Sequence, residues 1–230
     1  MTIKIYADGA DIDAMHAVAK NKKVRGFTTN PSLMRKAGVK DFRAFAGRAL
    51  AAFPDYPISF EVFADDFNEM EKQAHEIASW GENVYVKIPV CNTKGASAGA
   101  LIGRLAQARI KVNVTAILCV SQVDDVLNSL GDSPAVVSIF AGRIADTGRN
   151  PSGVIHHAVS RRRSPLHEIL WASPRQVMDV YTADVLGCDI ITCTPELIAK
   201  LPLEGKNLLE YSRETVEMFY TDAKAANYKL

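Results

Sequence analysis

The 230-residue sequence lacks a net charge: 27 Lys and Arg against 26 Asp and Glu leave only +1. A protein that draws its affinity from nucleic-acid phosphates needs a basic surplus gathered on one face, so nucleic acid is not an expected partner. Long apolar runs are missing as well. The longest patches are pieces such as residues 116–120 (AILCV), far short of the ~18 residues that cross a bilayer, and no membrane partner is expected. A strand-like pattern begins directly after Met1, so no signal peptide is expected. Cysteine is scarce. The four present, Cys91, Cys119, Cys188 and Cys193, form no CxxC pair and no disulfide framework. The last three sit in apolar stretches, where a reduced cysteine acts as a small hydrophobe, and a reducing, cytoplasmic compartment is expected. The 5 histidines are scattered except for His156-His157, which would point about 100° apart on a helix and chelate poorly. Neither a metal site nor a cofactor is expected. There is also no linker rich in Ser, Gly or Pro, no low-complexity tract, and no GxGxxG or P-loop pattern.

What the sequence does contain is alternation. With 48% hydrophobic residues it can bury a full core. Short apolar runs at residues 3–7, 26–29, 58–62, 84–88, 111–117, 135–140, 168–172 and 189–193 read as strands. Segments of helical period lie between and after them, at 12–20, 41–52, 68–80, 94–108, 121–129, 153–160, 174–186 and 207–226. Asp66, Ser121 and Ser173, the last just before Pro174, are expected helix starts. Strands alternating with helices predict one parallel α/β domain. Without a Gly-rich phosphate loop after the first strand, a closed (β/α)8 barrel over residues 1–230 fits better than an open doubly wound sheet, with an extra C-terminal helix at about 207–226.

Such a barrel places its chemistry at the carboxyl ends of the strands. Side chains on a strand alternate faces, so inward residues share parity. Strand after strand ends in polar residues of one phase: Asp8 with Tyr6, Thr28 with Asn30, Ser59 with Glu61, Asn113 with Thr115, Ser138 with Phe140 and then Arg143, and finally Ser173 and Arg175. Ser32 and Ser173 have the alternative role of helix N-caps. Lys87 is the centre of the pattern. It lies between Val86 and Ile88, opposite in phase to an aliphatic face, and so points into the closed interior. Desolvation disfavours an ammonium, and a neutral amine can attack a ketone to form a Schiff base. The alternative is a lysine locked in an ion pair with Glu61 or Asp8. Arg161-Arg162-Arg163 reads as a solvated face, or as an anion contact at a subunit edge.

The segments TTNPSL (28–33), VKIP (86–89), NVT (113–115), SIFAGRI (138–144) and ASPR (172–175) together resemble the transaldolase family, and within it the short-chain branch that includes the fructose-6-phosphate aldolases. The resemblance runs in order from Asp8 to the C-terminal helix. It implies a (β/α)8 barrel with Lys87 as the Schiff-base lysine and Asp8 as acid/base on the substrate C4 hydroxyl. It further implies Glu61 and Thr115 around a proton-carrying water, and Asn30, Asn113 and Ser138 on the dihydroxyacetone hydroxyls, with Thr28 and Phe140 beside them. Arg143, Ser173 and Arg175 match positions that bind the substrate phosphate, and guanidinium groups suit phosphate oxygens. The aldolase branch is expected to carry Gln and Tyr where this chain has Glu61 and Phe140. The resemblance therefore implies transfer of a dihydroxyacetone unit from a ketose phosphate to an aldose phosphate. Aldol cleavage is the alternative, and a non-catalytic sugar-phosphate-binding barrel a more remote one. Short members of the family commonly assemble as pentamers or decamers, so a homo-oligomer is implied.

Overall fold

The structure, a computed structural model, describes residues 2–229; Met1 and Leu230, the ends of the expected domain, lie outside it. Eight parallel strands close into a barrel in sequence order: β1 (Lys4–Asp8), β2 (Val24–Thr28), β3 (Ile58–Glu61), β4 (Val84–Pro89), β5 (Val112–Ile117), β6 (Ala135–Ile139), β7 (His167–Trp171) and β8 (Ile190–Cys193), with β8 pairing back onto β1. The expected (β/α)8 architecture is the observed one.

The alternation within each strand builds two layers. On β4, Val84, Val86 and Ile88 are buried towards the helices, while Tyr85 and Lys87 take the opposite phase. Inside the barrel Tyr6 packs with Val136, Leu170, Ala172 and Ile190. Its ring fits because the paired residue on β2 is Gly26, where a Cβ would sit 2.7–2.8 Å from three ring carbons. The ring fills the barrel interior beneath the polar residues at the strand ends.

Around the barrel run α1 (Ile12–Ala19), α2 (Pro31–Lys36), α3 (Phe42–Ala52), α4 (Phe67–Ala78), α5 (Gly99–Gln107), α6 (Val120–Ser129), α7 (Ala141–Asp146), α8 (Ser152–Arg161), α9 (Met178–Val185) and α10 (Pro195–Lys200). Their starts are set chemically. Asp11, Asn30, Asp41 and Asp66 each accept backbone N–H groups of the first turn, as short polar N-caps do. Asp66 is the cap expected. Ser121 is not, because α6 begins at Val120 after Cys119. Ser32 lies inside α2, whose cap is Asn30 with Pro31 at the first helical position. Ser173 caps nothing: it adopts φ +58°, and the backbone N–H groups of Arg175 and Gln176 donate to the Asp179 carboxylate instead, so α9 starts only at Met178. The helix expected from residue 94 starts at Gly99, after a turn in which Cys91 bridges to Ser97.

The cysteines are free, Cys188 and Cys193 buried as expected but Cys119 exposed at the head of α6. The three arginines at the end of α8 have architectural partners. Arg162 holds Asp189 at 3.0 and 2.8 Å, Arg163 donates to Asn128 at 2.6 Å, and Arg161 lies 3.5 Å from Asp124. Asp189 also accepts the Ile169 N–H, so Arg162 and Asp189 pin the start of β8 to β7.

The chain divides into two compact units, residues 1–198 and 199–230. The second holds a 3₁₀ turn (Leu201–Leu203) and α11 (Leu208–Ala225), capped by Asn207. No residue of α11 is buried, and Leu208, Leu209, Val216, Phe219 and Tyr220 are exposed. No helix among the described residues is long and apolar enough to cross a membrane.

Candidate active site

A cavity of about 90 Å³ opens at the carboxyl ends of the strands, and its walls include Asp8, Thr28, Asn30, Lys87, Asn113, Thr115, Ser138, Phe140, Arg143 and Ser173. The polar residues singled out by parity are therefore neighbours in space. Glu61 and Arg175 are not part of the wall. Glu61 stands behind it, beside Lys87, and Arg175 reaches outward to Asp146 on α7.

Lys87 is 6% exposed. Its ammonium donates to the Thr29 carbonyl at 2.9 Å and lies 3.2 Å from Glu61 Oε2. Strand register explains the pairing, because Glu61 on β3 and Lys87 on β4 are direct partners. Of the two ion pairs open to Lys87 in sequence, the one with Glu61 is the one formed. A buried charge needs such a partner.

Asp8 sits across the cavity. Burial raises its pKa above the ordinary 3.8, Lys87 and a hydrogen bond from the Thr28 hydroxyl (3.0 Å) pull it back, and Glu61 adds a smaller upward push. Thr28 also shares a hydrogen bond with the hydroxyl of Thr192 on β8. Thr192, with Leu170 and Ala172, completes the cavity wall and was not among the residues expected there. The signal was present, since Thr192 is a polar residue near the end of its strand and pairs with the inward-facing Tyr6.

A second chain of hydrogen bonds crosses the floor. The Ser138 hydroxyl donates to Asn113 Oδ1 at 2.6 Å, and Asn113 Nδ2 donates to Ser59 Oγ at 3.0 Å. One amide hydrogen of Asn113 remains to be offered to a ligand. Thr115 Oγ1 is buried without a hydrogen-bond partner among the described residues. A buried hydroxyl left without a partner is costly. Asn30 spends its carbonyl oxygen on the Leu33 N–H, leaving its amide nitrogen to donate.

Arg143, at 5.8 Å over the Phe140 ring, has no ion-pair partner among the described residues. Two strained residues flank the mouth. Ala116 (φ +63°) follows Thr115 at an irregularity between β5 and β6, and Ser173 (φ +58°) lines the wall. Left-handed backbone costs a residue with a Cβ about 1–2 kcal/mol, and such strain collects at functional sites. At Ser173 the strained turn brings its carbonyl so near Gly142 that a Cβ there would lie 1.6 Å away.

The sequence profile of the Transaldolase/Fructose-6-phosphate aldolase family matches residues 5–230. The chain belongs to that family. Among similar members is a probable transaldolase of Dehalococcoides mccartyi, 32% identical over 201 residues that cover 86% of this chain and 90% of the relative. Another, from a Roseiflexus species, is 35% identical over 193 residues, 83% of this chain and 85% of that one. The 3-hexulose-6-phosphate synthase of Salmonella typhimurium is similar in structure, with a TM-score of 0.60 at 16% identity over 84% of this chain and 89% of that one. At that identity the likeness shows the fold alone.

Proposed function

We propose that the protein is a Schiff-base transaldolase that carries a dihydroxyacetone unit from a ketose phosphate to an aldose phosphate. Lys87, as the neutral amine, attacks the C2 carbonyl to give a carbinolamine, and loss of water leaves an iminium joined to Nζ. The adjacent Glu61 carboxylate takes up the ammonium proton and returns it to the carbinolamine hydroxyl as that group leaves, and Thr115 holds the water formed and later consumed. Asp8, as carboxylate, takes the proton of the C4 hydroxyl. The C3–C4 bond breaks, its electron pair passes into the iminium to give an enamine, and an aldose phosphate departs. An acceptor aldose reverses these steps: the enamine carbon attacks the aldehyde, Asp8 returns its proton, and water releases the new ketose from Lys87.

The observation that carries this reading is Lys87, buried at the end of β4 with a carboxylate 3.2 Å away and Asp8 in the same cavity. Asn113, Ser138 and Asn30 would hold the three-carbon unit, with Thr28 against Asp8. Arg143, Ser173 and Arg175 would receive the phosphate, and Arg143 has no carboxylate partner to displace first. An apolar Phe140 beside the enamine supplies no proton to it and favours its survival until an acceptor arrives. The exposed apolar residues of α11 support a homo-oligomer, and the free cysteines support a cytoplasmic location.

The experiment incubates the protein with fructose 6-phosphate, with and without an aldose phosphate acceptor. Transfer predicts turnover only with the acceptor. Free dihydroxyacetone accumulating at the same rate without one, read by a coupled dehydrogenase, would assign the aldolase reaction instead.

A further inference from the structure

We infer that Thr192 is a positioning residue for Asp8, acting through Thr28 to aim a hydroxyl hydrogen at the carboxylate. The inference rests on the transaldolase reading above, in which Asp8 must be ionised to take the C4 hydroxyl proton.

The direction of the chain follows from counting hydrogens. A threonine hydroxyl has a single hydrogen and an ionised carboxylate has none. Thr28 donates its hydrogen to Asp8 Oδ1 at 3.0 Å. The hydrogen bond between the Thr28 and Thr192 hydroxyls must then use the hydrogen of Thr192. Thr192 therefore occupies an oxygen lone pair of Thr28 and leaves the Thr28 hydrogen one place to point, while polarising that hydroxyl as a donor. Both threonines are buried, so bulk water competes little for either bond. The arrangement bridges neighbouring strands: Thr192 on β8 reaches Thr28 on β2, and Thr28 reaches Asp8 on the β1 strand between them.

This chain works against burial. Around Asp8, Lys87 of β4 favours the carboxylate, and Glu61 of β3 opposes it. The Cys193 thiol, pushed up to about 12 by burial, is neutral. Arg143 of α7 lines the same cavity, and Asp11, Lys36 and Glu196 share a neighbouring cleft with the β1 end. None of these touches Thr192 by a hydrogen bond. Its removal alters the donor to Asp8 without altering a charge.

The test compares wild type with Thr192→Val, Thr192→Ala and Thr192→Ser. One readout is the pH dependence of kcat/KM for ketose cleavage. Another is the Asp8 carboxyl titration, followed by ¹³C NMR of aspartate-labelled protein. Losing the chain weakens the stabilisation of the carboxylate, so the acid limb and the titration should both move up, by about half to one pH unit in Val and Ala. Ser restores the hydroxyl and should restore wild-type values, which a purely packing role of the Thr192 methyl would not do. Using both Val and Ala keeps a folding fault in one from deciding the outcome. If wild type forms its Lys87 adduct and transfers normally while Val and Ala keep its acid limb and titration, the inference alone falls. If wild type forms no adduct and transfers nothing, the functional reading falls, and the inference with it.

Discussion

Glu61 Oε2 lies 3.2 Å from the Lys87 ammonium, held there by direct register pairing of β3 with β4. The contact neutralises a buried lysine and puts a proton acceptor beside the proposed nucleophile. Glu61→Gln preserves the shape but can neither carry the charge nor take the proton. Adduct formation, followed by rapid-quench borohydride trapping, should slow roughly 100-fold, the low end for loss of a general base. The cleavage step, proposed to use Asp8, should be affected far less. Equal slowing of both steps would contradict the role given to Glu61.

Asp8 predicts a trade of stability for function. Its pKa is raised by burial above 3.8, so ionising it disfavours the folded state, and stability from this group is lost as pH rises through the folded value. Asp8→Asn should be inactive in cleavage yet melt higher than wild type at neutral pH. That advantage should shrink as pH falls through the raised value and vanish near 3.8. Melting curves between pH 3.5 and 8, compared with wild type, check this; a variant less stable at neutral pH would contradict it.

Gly142 permits the close approach of α7 to the strained turn at Ser173. In Gly142→Ala the new Cβ would lie 1.6 Å from the Ser173 carbonyl oxygen, and backbone atoms must separate. The expected loss is about 1–3 kcal/mol, or roughly 3–10 °C in Tm for a chain of this size. Recognition of a phosphorylated ketose donor should suffer more than that of its unphosphorylated counterpart, because Arg143 and Ser173, the proposed phosphate contacts, both move. Calorimetry and KM values for the two donors provide the comparison.

Asp146 engages Arg175 through both its oxygens, one of them 3.0 Å from Nε. Exposed pairs of this kind contribute about 0–1 kcal/mol, so Asp146→Asn should hardly alter Tm. If Arg175 serves the substrate phosphate, removing the competing carboxylate should lower KM for a phosphorylated donor roughly 3-fold, within the range an exposed pair can supply. The KM for an unphosphorylated donor should stay constant. A parallel change in both would remove Arg175 from the phosphate site.

The barrel was legible because β4 writes Val84, Val86 and Ile88 on one face and Tyr85 and Lys87 on the other. The same parity gathered Asp8, Thr28, Asn113, Thr115 and Ser138 into one cavity. Helices α2, α7 and α10 escaped because each has only 6 residues, too short for a helical period to register. Ser173-Pro174 reads as a helix start, but the Asp179 carboxylate takes over the local N–H groups and frees Ser173 to strain. The partner of Lys87 was open between Glu61 and Asp8 until strand register settled it, since register between strands far apart in sequence leaves no local mark. Thr192 sits in the apolar run IITC, where one hydroxyl looks like a packing residue.

The covalent role of Lys87 is tested most directly by borohydride reduction in the presence of fructose 6-phosphate, followed by peptide mass mapping. The expected result is a single adduct of the dihydroxyacetone unit on Lys87, absent from Lys87→Met together with all transfer activity. Transfer that proceeds at the wild-type rate with no adduct on Lys87, or with the adduct on another lysine, would contradict it.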